Sequence, residues 1–163
     1  MMDMILHLIE VAIWSGIAAL GFGILFNIPK STIITVFALG FGSGLIKFCL
    51  IRICDVHIVL ATLIAVLFVA VASMPTAHKI HHPPVVFCIP PVIPMIPGYF
   101  AYETVLSVMN FIFIEKDPAK KLVLIDSIFS NGFTMFFILI SIAIGISLPM
   151  LVLRKNTVKK LDS

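Results

Sequence analysis

The chain has 163 residues, of which 61% are hydrophobic and 12% charged, with a formal net charge of +3. Soluble domains are about 45–50% apolar and about 25% charged, so this composition excludes a soluble enzyme, a nucleic-acid-binding module and a disordered protein. A helix of about 20 apolar residues crosses a bilayer, and the chain has enough apolar residues for roughly five crossings. The sequence therefore predicts a polytopic membrane protein.

Five apolar segments follow one another along the chain. Backbone amides within lipid must be bonded internally, so the predicted fold class is all-α, with about five transmembrane helices and one of them broken by proline and glycine. Pro29 follows the first segment and Pro75 is expected to end the third helix. The spans, predicted to form a single integral membrane domain over residues 1–163, are 4–26, 33–53, 57–74, 84–114 (the broken one) and 125–153.

Small residues in the second span predict close helix packing. Gly40 and Gly44 form a GxxxG pair within an apolar segment, and Ala19 and Gly23 form a looser pair of the same spacing in the first span. The glycine run 40–44 lacks the preceding strand and the following Lys-Ser/Thr of a phosphate-binding loop, so that interpretation is excluded.

Two ionisable residues lie inside apolar spans. Glu103 is followed by apolar residues, and a carboxylate at this depth is a functional-site hypothesis by default. Lys47 is the cation well inside a span, so a Lys47–Glu103 ion pair is one expectation. The alternative is that Lys47 extends its ammonium to the nearby membrane surface.

Three histidines, His78, His81 and His82, lie between the third and fourth spans. Pro83 and Pro84 follow at once and disfavour the helical face that a metal site would need. The segment is therefore predicted to be an interfacial loop, and no metal or other cofactor is expected.

Residues 90–98 contain four prolines in eight positions and then Gly98, which excludes a continuous helix. Unpaired carbonyls at membrane depth are tolerated only against protein or a water-filled cavity. Either the broken helix lines a substrate pathway, with free N–H groups after Gly98 suited to an anionic group, or the prolines form only a structural kink.

Polar residues in the last span share one helical face. Asp126, Ser130 and Thr134 are four residues apart, and Ser127 and Asn131 lie beside them. Such a face should look toward other helices or toward a pathway, and both interpretations stay open.

The basic tail, residues 154–163, holds four cations before Asp162. By the positive-inside rule this tail is expected to be cytoplasmic, and five crossings would then place the N-terminus outside.

The proline segment also carries a family resemblance. Pro94-Met95-Ile96-Pro97-Gly98 followed by Ala101-Tyr102 resembles the P-M-x-P-G-x-x-A-Y signature of the threonine/serine exporter (ThrE) family, in its small YjjB-like membrane subunit. Three further features are also similar to that family. They are the ending of the first span, Gly40 with the basic Lys47 seven residues on, and Asn131 with the final Ile144–Pro149 segment.

The resemblance implies a subunit of a two-component exporter in the bacterial inner membrane, with a larger YjjP-like membrane subunit as partner. Implied substrates are small carboxylate metabolites, either threonine and serine or dicarboxylates such as succinate. The alternatives are a scaffold subunit that does not transport and a homo-oligomer; an enzyme is not expected. The expected pathway residues, including the family's motif positions, are Pro94, Pro97, Gly98, Tyr102, Glu103, Asn131 and Lys47. Glu103 departs from the family pattern, which has a small polar residue there.

Overall fold

The computed structural model describes the backbone of residues 2–80 and 84–158, and their side chains except those of residues 76, 78–80, 84–85 and 153–158. Within these ranges all regular structure is helical. Three short turns join the longer helices: two 3₁₀ turns, Lys30–Thr32 and Ile93–Met95, and a π-helical turn, Asn110–Ile114. Those helices are α1 (Met2–Leu25), α2 (Ile33–Arg52), α3 (Ile58–Ile80), α4 (Pro84–Val92), α5 (Gly98–Met109) and α6 (Pro118–Val158).

Four helical segments in the described ranges are long and apolar enough to cross a membrane: Met2–Leu25, Lys30–Arg52, Ile58–Pro75 and Pro118–Val152. A fifth crossing results if Val86–Met95 and Gly98–Ile114 together form one broken span. The prediction of an all-α polytopic membrane protein with one broken helix is confirmed.

The sequence predicted that the third helix ends at Pro75, and this prediction is wrong. It continues to Ile80 with Pro75 inside it. A proline deletes only one backbone hydrogen bond, and the residues on both sides are held by packing: Met74 and Ala77 are buried, and Ala77 packs with Leu39 and Phe87. Tertiary contacts therefore override the local break.

The last helix begins at Pro118, earlier than the predicted span boundary at residue 125. Asp117 caps it, since its Oδ1 accepts the Ala119 N–H at 3.0 Å and its carbonyl accepts the Lys121 N–H at 3.0 Å. Pro118 occupies the first helical position, where its missing N–H has no intrahelical partner to lose.

The chain divides into two compact units, Met1–Met95 with Ser141–Ser163, and Ile96–Ile140. In the first unit, α1 packs against α2 through small residues. A Cβ added to Gly40 would lie 2.5 Å from the Ala19 Cβ, and one added to Gly44 would lie 2.5 Å from the Ser15 Oγ. The GxxxG pair, Gly40 and Gly44, therefore forms the surface of α2 against which α1 packs.

A second contact of the first unit joins α3, α4 and the end of α6. Its buried residues include Val66, Val69, Cys88 and Val92, with Ile146 of α6 packed against them. Phe87 of α4 is fully buried beside Leu39 of α2. These contacts hold the proline-rich helix α4 in place.

The second unit is a hairpin of α5 and the first part of α6. The Ser107 and Ser127 Oγ atoms lie 3.0 Å apart across it, and Thr104 approaches Gly132, where an added Cβ would lie 3.7 Å from the Thr104 Cγ2.

Candidate functional site

The helical hydrogen bonding of α4 weakens at its prolines before it stops. Pro90 and Pro91 lie inside α4, so the carbonyls of Val86 and Phe87 lack the N–H donors four residues on. The α-helix ends at Val92 and a 3₁₀ turn, Ile93–Met95, follows. The helix is therefore broken within the proline segment, as the sequence predicted. Two of the four prolines, Pro90 and Pro91, still fit into the last turn of α4.

In the second unit, α5 starts with a tight turn at Pro97. The Gly98 N–H donates to the Ile96 carbonyl at 2.8 Å, and Pro97 has φ −79° and ψ 60°, the values of an inverse γ-turn. The Pro97 carbonyl then accepts the Ala101 N–H at 3.1 Å. The Gly98 amide is therefore engaged in this turn. Among the amides after Gly98, which were expected to be free, those of Tyr99 and Phe100 donate no hydrogen bond within the described part of the second unit.

A small cavity of about 70 Å³ lies beside α4 in the first unit. Lys47 of α2 and Pro91 and Pro94 of the proline segment all line it. The full lining is Ser15, Ser43, Gly44, Lys47, Phe48, Pro91, Pro94 and Met95. A water needs roughly 10–15 Å³ of such space, so the cavity can hold a carboxylate-sized group or a few waters.

Lys47 brings an uncompensated charge to this cavity. Its side chain is half-buried, and its ammonium makes no hydrogen bond or ion pair with any residue described in the first unit. The cavity lining contains no carboxylate. A cation on a membrane helix without such a partner is suited to bind an anion.

Two serine hydroxyls share the cavity with Lys47. Ser43 is buried and donates to the Gly40 carbonyl at 3.0 Å, which leaves its oxygen lone pairs available as acceptors. Ser15 has no hydrogen-bond partner among the described residues of the first unit. Its Oγ lies against Gly44, where a side chain would displace it.

Sequence analysis did not single out Ser15. The spacing of small residues on α1 could have indicated it, because Ser15 precedes Ala19 by four residues and Ala19 precedes Gly23 by four. The small-residue line on α1 therefore extends back to Ser15, which places it on the face that meets Gly44 of α2.

The expected pathway residues divide between the two units. Lys47 and Pro94 line one cavity in the first unit. In the second unit, Tyr102 is exposed and Glu103 is half-buried. Pro97 and Gly98 form the turn before α5. The Lys47–Glu103 ion pair stays a prediction, since its two members belong to different units.

Asn131 takes part in a hydrogen-bond network between α5 and α6. Its Nδ2 donates to the Ser127 Oγ at 3.1 Å, and Ser127 in turn bonds Ser107 of α5. Asp126 and Ser130 are exposed instead. The polar residues of α6 therefore lie on two faces: Ser127 and Asn131 take part in the contact with α5, whereas Asp126 and Ser130 are exposed.

The described residues contain no group of three or more His, Cys, Asp or Glu placed to hold a metal ion. His81, His82 and the side chain of His78 lie outside the described residues, as do residues 159–163 of the basic tail and the side chains of Arg154 and Lys155.

These features define a polytopic α-helical membrane protein with a proline-broken helix and a small cavity that holds two serines and a lysine without a partner among the described residues of the first unit. Residues 11–152 match the family described as Threonine/Serine exporter, ThrE, and the chain belongs to that family, as the resemblance predicted. The family is one of transporters and not of enzymes.

A curated relative gives a further comparison. It is an uncharacterized protein of Haemophilus influenzae, 27% identical over 144 residues, which cover 88% of this chain and 47% of the relative. The chain thus spans about half the length of that relative. No solved structure matches the chain.

Proposed function

We propose that this chain is one subunit of a two-component exporter in the bacterial inner membrane that moves small carboxylate metabolites outward. The substrates proposed are threonine and serine, or a dicarboxylate such as succinate. The proposal combines membership of the exporter family with the chemistry of the cavity beside the broken helix.

One observation carries the proposal: Lys47 has no partner among the described residues of the first unit, and it lies in a cavity that the proline segment also lines. An ammonium within the hydrocarbon region costs roughly 2.5–3.5 kcal/mol on the insertion scale, so an unpaired lysine is retained there at a cost. A carboxylate entering the cavity would offset this cost through a charge-assisted hydrogen bond. The Ser15 and Ser43 hydroxyls would complete its coordination.

In the second unit, the proposal assigns pathway roles to the start of α5 and to α6. The unbonded amides of Tyr99 and Phe100 form the positive end of the α5 dipole and suit a carboxylate. Tyr102 and Asn131 would add hydrogen bonds, since Asn131 uses one N–H for Ser127 and keeps its second N–H and its oxygen.

The partner proposed is a larger YjjP-like membrane subunit. The chain spans about half of a curated relative, which supports a transporter of roughly twice this length. A unit with about five crossings also has little room for a gated pathway. A homo-oligomer is the alternative assembly, and the tail, residues 154–163, is proposed to be cytoplasmic.

The test is serine, threonine and succinate efflux from cells that lack this chain, complemented with the wild type or variants alongside the partner. Lys47→Gln should abolish efflux while Lys47→Arg retains it. Lys30→Gln, an exposed lysine outside the cavity, is the matched control. A double variant, Pro97→Ala with Gly98→Leu, tests whether efflux requires the turn that precedes α5.

Membrane levels of each variant and co-purification with the partner are measured in parallel. Normal efflux with Lys47→Gln would overturn the role of the cavity. Normal efflux with both Lys47→Gln and the Pro97/Gly98 variant, with the complex intact, would favour the scaffold alternative.

A further inference from the structure

The turn between α5 and α6 forms a second cavity, which the proposed export function does not use. Its volume is about 390 Å³, and it is lined by Asn110, Ile114, Glu115, Lys120, Val123 and Leu124. The turn follows the half-span Gly98–Ile114 and precedes the span that begins at Pro118, so it lies at a membrane surface. The lining combines three apolar side chains with the Asn110 amide, the Glu115 carboxylate and the Lys120 ammonium.

Two side-chain donors of this cavity, the Lys120 ammonium and the Asn110 amide, form no side-chain hydrogen bond among the described residues of the second unit. The charge of Lys120 also acts on the neighbouring Glu115 carboxyl and lowers its pKa. Lys121, the neighbouring cation, lies 5.1 Å from the centre of the Phe111 ring and so is already engaged. Lys120 is therefore the cation of the turn that is available to a ligand in the cavity.

Both acids of the turn accept backbone hydrogen bonds. The Glu115 Oε1 accepts the N–H groups of Lys116 and Asp117, each at 3.0 Å, and Asp117 caps α6. Three lysines against these two acids leave the segment 115–121 with one net positive charge.

The apolar surroundings indicate an acyl chain rather than a soluble anion. Phe113 is 76% exposed, Ile114 70% and Val123 69%. Of these three side chains, Ile114 and Val123 line the cavity. Basic pockets between membrane helices can bind anionic lipid headgroups.

We propose that this cavity binds an anionic phospholipid, with its phosphate on Lys120 and Asn110 and an acyl chain along Ile114 and Val123. The occupant is a membrane lipid and not a dissolved phosphate, because a dissolved ion would leave the exposed apolar wall uncovered.

The experiment titrates dioleoyl-phosphatidylglycerol into the purified, detergent-solubilised chain and follows the thermal unfolding midpoint. The expected result is a saturable stabilisation that dioleoyl-phosphatidylcholine does not give. Lys120→Gln should raise the half-saturating lipid fraction about 5-fold. Asn110→Leu, which keeps the side-chain size, should also weaken the response.

Lys116→Gln is the matched control, because Lys116 belongs to the same turn but does not line the cavity. It should respond like the wild type. Equal stabilisation by the two lipids, or an equal loss in Lys116→Gln and Lys120→Gln, would overturn the proposal. Stabilisation by dissolved glycerol 3-phosphate at the same strength would identify a soluble-anion site and also overturn it. Efflux is not a readout here, so the result is independent of the proposed function.

Discussion

Ser107 and Ser127 join α5 to α6 through a hydrogen bond between their side-chain oxygens, which lie 3.0 Å apart. Asn131 donates a second bond to the same Ser127 oxygen at 3.1 Å. One hydroxyl thus serves both helices of the hairpin, next to the close approach of Thr104 to Gly132. The arrangement explains why polar residues persist on this apolar helix.

Replacing Ser127 should therefore loosen the hairpin. Ser127→Ala removes both hydrogen bonds, and such bonds between membrane helices contribute about 0.6 kcal/mol on average and up to about 1.7 kcal/mol. We expect a loss of about 1 kcal/mol in the free energy of unfolding, measured by denaturant titration in detergent. Ser130→Ala, on the exposed side of α6, is the control and should stay within about 0.5 kcal/mol of the wild type. Equal stability of the two variants would contradict the network's role.

Gly40 should not tolerate even one methyl group. In Gly40→Ala the new Cβ would meet the Ala19 Cβ at 2.5 Å and the Ser15 carbonyl oxygen at 3.1 Å, so α1 and α2 must move apart. Overpacking of this kind costs about 1–3 kcal/mol. Gly21→Ala on α1 is the matched control because nothing lies within 4 Å of its added Cβ. Unfolding in detergent should show a loss for Gly40→Ala alone; a similar loss in both would point to a cause other than the helix contact.

Glu115 should make stability depend on pH in the acidic range. The hydrogen bond from the Asp117 amide, with further help from the Lys116 amide and the nearby Lys120 and Lys121, lowers the pKa of this carboxyl below its ordinary value. A lowered pKa in the folded state gives stability that is present above the unfolded pKa, about 4.3, and is lost as pH falls through the folded pKa.

The measurement is the difference in thermal midpoint between wild type and Glu115→Gln from pH 7 to pH 3. The difference should be constant down to about pH 5 and then shrink toward zero, because both side chains are neutral in strong acid. Asp117 and the other acids are common to both proteins and cancel. A difference that stays flat, or grows in acid, would contradict the lowered pKa.

Glu103 gives a test of energy coupling. It is half-buried within the candidate broken span, where a carboxyl can carry a proton across. Glu103→Gln should leave substrate exchange intact but abolish accumulation driven by a proton gradient, in vesicles that contain this chain with its partner. An unchanged pH dependence of transport in that variant would contradict proton coupling through Glu103.

By itself, the sequence determined the class of protein. Apolar segments of about 20 residues must be helices in lipid, because backbone groups have no water to bond there, and prolines 90–97 had to break one of them. The proline-glycine signature also indicated the family to which residues 11–152 belong.

Only the tertiary structure decided which side chains meet. Helix α3 continues past Pro75 because buried Ala77 packs against Leu39 and Phe87, contacts that lie far apart in the chain. The cavity joins Ser15, Lys47 and Pro94 from three separate segments, and Ser127 rather than Asp126 turned out to face α5. Helical period restricts a residue to a face, but the neighbour of that face is set by long-range packing, which the local sequence does not contain.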